Sequence, residues 1–192
     1  MSSSKRDRSF DPSRRRSVSL ILGATGLALA GCRVQPLYGT WSVGSQSPVA
    51  SDLAAIEIER IDSTNTEDLK RIGQVLRNEM LFGFRRGGRG EAPRYRLRVI
   101  LDRQRNAVGV QRLKDVPASY SVTLNASFVL SEYETDRTLT TGRAFATASY
   151  DFSSQRFANL RAERDADDRA AKVIAGDIQT RLAGYFTEQK QG

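Results

Sequence analysis

Four segments of the chain alternate between apolar and polar residues, which is the pattern of a strand with one buried and one wet face. The predicted strands cover residues 53–61, 94–102, 119–131 and 139–150. The second is the cleanest, because Arg94, Arg96 and Arg98 all fall on the face opposite its apolar residues. The last two are separated only by the turn 134–137. Period two on both sides of a short turn predicts a hairpin.

Two other segments carry apolar residues at helical spacing. The apolar stripe of the first consists of Leu69, Ile72, Leu76 and Met80. Thr64 and Glu67 have the spacing of a capping box, which predicts where this helix begins. The second helix is predicted over 154–186, with an apolar side made of Phe157, Leu160, Ala170, Val173, Ile174, Ile178, Leu182 and Tyr185. Residues 103–116 are interpreted as a basic connection between strands.

The order of these elements is strand, helix, three strands, helix. This β-α-β-β-β-α order predicts an α+β fold, in which two helices pack on one face of a four-stranded, mainly antiparallel sheet. A chain of this length can bury enough surface for one sound core, so we expect a single folded domain.

The first 31 residues have the composition of an export signal. Residues 2–16 are strongly basic, and the apolar stretch 18–29 is too short to span a bilayer as a permanent helix. The signal ends on Leu29-Ala30-Gly31-Cys32, which is the pattern of a lipoprotein signal. An ordinary signal peptide with a chance cysteine is the weaker alternative, because Cys32 is the only cysteine in the chain. Arg14-Arg15-Arg16 leaves both the general and the twin-arginine export routes open.

A lipid on Cys32 would tether the protein to a membrane surface without spanning it. We therefore expect lipidation at Cys32 and no other cofactor. The predicted organisation is a signal peptide at 1–31, a lipidated cysteine with an extended tether at 32–51, an α+β domain at 52–187 and a tail at 188–192.

Charge and composition exclude several classes of chemistry. Removal of residues 1–31 lowers the formal charge from +8 (30 minus 22) to +4 (24 minus 20), so the sequence pI of 10.0 overstates how basic the mature chain is. The chain has no histidine, and Cys32 would be blocked, which excludes histidine triads, Cys–His pairs and His-ligated zinc. No catalytic residue and no metal site is predicted, although composition alone does not exclude a lysine- or carboxylate-based enzyme.

One acidic group near the start of the last helix resembles a set of metal ligands. It consists of Glu163, Asp165, Asp167 and Asp168. Charges spaced by four residues along the same helix pair with one another, and this favours a solvated helix face over a metal site.

Three stretches together resemble a known family. The cysteine is followed closely by Gln35-Pro36-Leu37-Tyr38-Gly39, the first helix carries Arg71-Ile72-Gly73 and Leu76-Arg77-Asn78-Glu79, and the last carries Arg161-Ala162-Glu163 and Arg181-Leu182-Ala183. With the order of elements, these resemble the LptE family of lipopolysaccharide-assembly lipoproteins over most of the mature chain. Arg33-Val34 departs from the Gly-Phe that the family often shows.

The resemblance implies a lipid-anchored, non-enzymatic protein on the periplasmic face of the outer membrane. Its partners would be the large β-barrel LptD, which it would plug and help to assemble, and lipopolysaccharide. An exported protein meets no nucleic acid. Arg33 after the cysteine, with no aspartate there, fits sorting to the outer membrane. The alternative is another outer-membrane lipoprotein that acts as a structural or assembly module of the envelope.

The resemblance also suggests where lipopolysaccharide would bind. The family's ligand-contacting bases correspond best to Arg112 and Arg143, for which a binding role and an ordinary surface charge are equally favoured. Arg96 and Arg98 are further candidates, and protection of a sheet surface is the preferred alternative for both. Arginine suits this ligand because a guanidinium binds phosphate in a bidentate way at any relevant pH.

Overall fold

The computed structural model describes residues 48–61, 67–86, 90–111 and 116–190. The chain divides into two units, Met1–Pro36 and Leu37–Gly192, and all described residues belong to the second. The elements are α1 (Pro48–Ala54), β1 (Ile56–Ile58), α2 (Glu67–Arg85), β2 (Tyr95–Gln111), β3 (Val116–Glu132), β4 (Thr138–Asp151) and α3 (Arg156–Gln189). The predicted α+β class and the order of the main elements are confirmed.

The four strands form one sheet in the order β1-β2-β3-β4. Strand β1 runs parallel to β2, which is the geometry that a helical crossover such as α2 produces. The other two pairs are antiparallel, and β2 and β3 form a long hairpin that pairs from Tyr95↔Glu132 to Gln111↔Val116. The sheet is therefore mixed, with three antiparallel strands as predicted and a parallel first strand.

The core lies between one face of the sheet and helices α2 and α3. The predicted inner faces of the strands are confirmed, since Leu97, Leu124 and Leu130 have no exposed surface. Ile72, Leu76 and Met80 of α2 are also fully buried, as their helical spacing predicts. Thr64, the predicted cap of this helix, lies outside the described residues.

Helix α1 replaces part of the predicted tether and of the predicted first strand. Residues 48–54 are helical and bury Val49 and Leu53, so β1 shrinks to Ile56–Ile58. Packing against α2 and α3 explains the difference, because tertiary contacts override the weak local preference of a short segment. The extended interpretation of 48–51 and the strand interpretation of 53–54 were therefore wrong.

Strand β2 is much longer than predicted. It continues through residues 103–111, so the interpretation of 103–116 as a basic connection was wrong for most of that stretch. The inward positions there are occupied by Arg103 and Arg105, whose guanidiniums meet acidic side chains of α3. A strand whose inner face changes from apolar to charged residues loses the hydrophobic alternation by which it is recognised.

Helix α3 reaches Gln189, beyond the predicted boundary at 186–187. Three residues assigned to its apolar side are exposed: Phe157 by 82%, Leu160 by 45% and Val173 by 60%. Of the others, Tyr185 is partly buried and Ala170, Ile174, Ile178 and Leu182 are buried as predicted. In the described part of the chain, no helix combines the length and apolar content needed to cross a bilayer.

Candidate ligand-binding face

The face of the sheet turned away from the helices, here called the open face, is covered by no described element. It presents the even-numbered residues of β2 and the odd-numbered residues of β3 and β4, because side chains alternate along a strand. Most are serine, threonine or charged. Three large apolar side chains interrupt this polar surface: Ile100 is 64%, Val108 47% and Phe145 74% exposed.

Arg143 lies near two of these apolar residues, Ile100 and Phe145. It pairs with Ser127 on β3, and Ser127 pairs with Ile100 on β2, so Arg143 and Ile100 are two strands apart, roughly 10 Å. Phe145 follows two residues later on the same strand and face. Within the described residues, no carboxylate lies within ion-pair distance of Arg143. The open face therefore offers an uncompensated guanidinium flanked by exposed apolar groups.

Arg96 and Arg98, the other described candidates, have acidic partners. Arg98 Nε lies 2.9 Å from Glu59 Oε2, and Arg96 Nε lies 3.6 Å from Glu59 Oε1. Arg96 also pairs with Asp136, and its guanidinium lies 4.8 Å from the ring centre of Tyr133. These contacts fit the surface-protection alternative better than a binding role.

Arg112 and Cys32 fall outside the described residues, so their predicted roles stay predictions. Of the candidate bases, Arg143 alone is both placed by the structure and left without an acidic partner in the described chain.

A cluster of buried charges joins β2, α2 and α3 on the inner side of the sheet. Arg103 Nε donates to Asp167 Oδ1 at 2.8 Å, and its Nη2 donates to Glu163 Oε1 at 2.6 Å. Arg71 of α2 donates to Asp167 Oδ2 at 3.2 Å and to Asp168 Oδ1 at 2.5 Å. Since Asp167 is only 2% exposed, the two arginines supply the hydrogen bonds that water would otherwise give.

The pKa values in this cluster follow from burial and from the neighbouring arginines. Burial raises the pKa of Asp167, and the hydrogen bond from Arg103 and the charges of Arg103 and Arg71 oppose that rise. Burial would also raise the pKa of Glu163, but the hydrogen bond from Arg103 and the nearby charges of Arg105 and Arg103 lower it overall. Burial raises the pKa of Tyr150, which shares hydrogen bonds with Arg105 and Glu163.

The interpretation of the acidic group as a solvated helix face is correct for Asp165, which pairs with Arg169 at 2.8 Å. It was wrong for Asp167 and Glu163, which face the sheet. The signal that could have revealed them is Arg103, two residues beyond Leu101 on the inward side of β2. Because guanidiniums stay charged, this cluster clamps helices to the sheet and has little capacity for proton transfer. Across the described ranges, no group of acidic, histidine or cysteine side chains is arranged to hold a metal ion.

Comparison with known proteins gives one family and several similar folds. The family model described as LptE, lipopolysaccharide-assembly, matches residues 53–182. A protein from Caulobacter crescentus CB15, described as a candidate lipoprotein, is 24% identical with a TM-score of 0.59, and the match covers 72% of this chain and 96% of that one. Rare lipoprotein B from Shewanella oneidensis is 11% identical with a TM-score of 0.50, covering 71% and 97%. At these identities, the structural likeness establishes a shared fold alone. No curated protein sequence matches the chain.

Proposed function

The chain belongs to the lipopolysaccharide-assembly family LptE, and from this membership we propose that it is a non-enzymatic outer-membrane lipoprotein that binds lipopolysaccharide during its delivery to the outer leaflet. In this proposal lipid on Cys32 holds the protein on the periplasmic face, and its protein partner is an LptD-like β-barrel that it plugs and helps to assemble.

The observation that carries the ligand half of the proposal is the surrounding of Arg143. Lipopolysaccharide combines phosphates and acidic sugars with acyl chains, so its binding surface needs cations beside apolar groups. Arg143 supplies a charge that no described carboxylate neutralises, and Phe145 and Ile100 supply exposed apolar surface on the same face. A guanidinium binds phosphate through two parallel hydrogen bonds. The open face therefore has the chemistry that a phosphorylated glycolipid needs.

The polar character of the same face supports the plug half of the proposal. Apart from a few apolar residues such as Ile100, Val108, Val129 and Phe145, the open face consists mainly of hydroxyl, amide and charged side chains, including the hydroxyl pair Thr123 and Thr147 at 3.1 Å. A body inside a polar lumen needs such a surface, because its outer groups must exchange hydrogen bonds with water and with barrel side chains.

The ligand half is tested with purified full-length protein and immobilised lipopolysaccharide. Arg143→Glu should weaken binding by about tenfold, the loss expected when one charge-assisted phosphate contact becomes repulsive. Arg112→Glu should weaken it further in combination. Arg161→Glu is the matched control, since Arg161 is also exposed and without an acidic partner in the described chain but lies on α3. Equal binding by the wild type and the double variant would refute the assignment.

The partner half is tested by extraction from native membranes. Tagged protein should co-purify with a large outer-membrane barrel in stoichiometric amount, and depletion of the protein should reduce surface lipopolysaccharide. A tagged extract without any barrel, or unchanged surface lipopolysaccharide after deletion, would favour the general envelope module instead. Cys32→Ala should leave the chain unlipidated, and mass spectrometry of its amino terminus measures this directly.

A further inference from the structure

Strand β4 is the last strand of the sheet, and half of its backbone groups point away from β3. Phe152 N–H donates to Ala118 O at 3.1 Å. Because every second residue of an antiparallel strand bonds to its neighbour, the even-numbered residues of β4 are the ones that bond to β3. Arg169 Nη2 donates to Ser149 O at 3.0 Å from the opposite side, which confirms that odd-numbered residues direct their backbone groups outward. Thr141, Arg143, Phe145 and Thr147 therefore present free N–H and C=O groups, with no partner in the described chain.

Between Arg143 and the Arg169 contact at Ser149, this edge has little of the usual protection against pairing. Natural edge strands carry charges, prolines or bulges, or they are covered by another element. Here the run from Ala144 to Tyr150 has no charge and no proline, and Phe145, the largest outward side chain, is exposed. The one described irregularity in the β3–β4 pairing lies at Leu130/Ser131, away from this run. An edge with free backbone groups and one unneutralised charge, Arg143, is a surface to which an extended chain of complementary charge can add by backbone hydrogen bonds.

We propose that residues 141–147 of β4 bind an extended segment of a partner protein as a fifth strand, with an acidic residue opposite Arg143 and an apolar residue opposite Phe145. The inference rests on the proposed function only in that such a protein partner exists. In an antiparallel pair, each of the positions Arg143, Phe145 and Thr147 would exchange two hydrogen bonds with the added strand. The side chains of these positions set the specificity, since backbone bonds alone recognise no sequence.

The charge pattern of β4 favours a foreign strand over a second copy of the chain. Symmetric pairing centred on Arg143 would place two arginines opposite each other, and centring on Phe145 would place Arg143 opposite Thr147. Only a register centred on Thr147 would bring Arg143 opposite an acid, Asp151. That register puts Ser149, whose carbonyl Arg169 already holds, inside the new ladder. Symmetric pairing with a second copy therefore either leaves Arg143 without an acidic partner or displaces the contact between Arg169 and Ser149.

The test uses the full-length chain and a defined probe. The probe is a capped peptide in which every second residue is threonine and the others are, from the amino end, valine, phenylalanine, glutamate and valine. In the antiparallel register its phenylalanine lies opposite Phe145 and its glutamate opposite Arg143. Amide hydrogen exchange is followed residue by residue by NMR. We expect the N–H groups of Arg143, Phe145 and Thr147 to exchange at least about tenfold more slowly with saturating peptide, because they become hydrogen-bonded. Ala144 and Ala146 should not change, since they already bond to β3.

Three controls separate strand addition from other binding. A peptide N-methylated on its edge-facing amides should give no protection. Thr147→Pro removes one outward N–H without touching the β3 ladder and should weaken binding by about tenfold, whereas Thr147→Val keeps the N–H and should bind normally. Both variants lose the same hydroxyl contact to Thr123, so that contact cannot explain a difference. Arg143→Glu should make the chain prefer a peptide that carries lysine in place of the glutamate.

The outcomes decide between the hypotheses. Absent protection, or equal protection by the methylated peptide, overturns the proposal. The same amides could instead be protected without peptide, to a degree that rises with protein concentration and with a doubled molecular mass in solution. That result overturns the proposal in favour of a second copy of the chain. A wild-type chain that adds the peptide strand but does not bind lipopolysaccharide would refute only the ligand half of the proposed function. A wild-type chain that binds lipopolysaccharide but shows no backbone protection with the peptide would refute only this inference.

Discussion

Arg103 Nε and Asp167 Oδ1 lie 2.8 Å apart in a position where the carboxyl group is almost completely buried, with 2% of Asp167 exposed. The contact ties the middle of the β2–β3 hairpin to α3, and Arg71 extends it to α2. Both residues come from parts of the sequence with few apolar side chains. The helices are therefore attached to this part of the sheet by charges, whereas the other part is held by the apolar core.

Removal of Asp167 should strongly destabilise the fold. Asp167→Ala would leave Arg103 and Arg71 half-buried with one partner fewer each, and losing one member of a buried ion pair costs about 3–5 kcal/mol. We expect the lower end, because Glu163 and Asp168 still bind these arginines. Urea unfolding measures the loss. Asp165→Ala, which breaks an exposed pair on the same helix, should cost at most about 0.5 kcal/mol. Similar losses for both variants would contradict a structural role of the buried cluster.

Glu163 should make stability depend on acid pH. Arg103 and Arg105 lower its pKa in the folded protein below the ordinary value of 4.5, so the folded state favours the ionised form more than the unfolded state does. Its contribution is present above the ordinary value and is lost as the pH falls through the lowered folded value. The difference in unfolding free energy between wild type and Glu163→Gln should therefore shrink as the pH falls from about 6 to about 3. A constant difference over that range would show that the pairing does not affect titration.

Gly142 should not tolerate a side chain. A Cβ atom at this position would lie 2.4 Å from Cζ of Phe128, the residue directly across on β3. Gly142→Ala therefore forces the ring to move and should cost about 1–3 kcal/mol. Gly176→Ala is the control of opposite sign, because nothing lies within 4 Å of its Cβ position and alanine favours a helix by about 1 kcal/mol. Thermal unfolding of both variants checks the prediction, which fails if Gly142→Ala melts like the wild type.

Asp52 should hold α1 on the domain. It is buried and pairs with Arg94 at 2.9 Å and with Lys190, so it joins α1 to the start of β2 and to the end of α3. Asp52→Ala removes both contacts, and buried hydrogen bonds to charged groups are worth about 1.5–3 kcal/mol. Hydrogen exchange in 49–54 should accelerate, while the core helices stay protected. Glu57→Ala, an exposed change on β1, should have no such effect, and equal acceleration in both variants would contradict this role.

The apolar and polar pattern was sufficient to predict the layer architecture. The inner residues of β3 and β4 and the stripe of α2 have the period of their elements, so burial follows directly from sequence. Membership of the LptE family was likewise visible in short motifs spread over residues 35–183. Among the candidate site residues, Arg143 was placed correctly on a strand, and the structure added that it has no acidic partner in the described chain.

Other features required the tertiary structure, because they depend on partners distant in sequence. Arg103 belongs to a strand only because Glu163 and Asp167, about sixty residues later, meet it on the inner face. Helix α1 forms where α2 and α3 offer it a surface and Asp52 pairs with two cations. Arg96 and Arg98 differ from Arg143 only through Glu59 and Asp136, which the sheet brings beside them. Hydrophobic periodicity records which face is buried, whereas the neutralisation of a charge depends on which other charge the fold brings within reach.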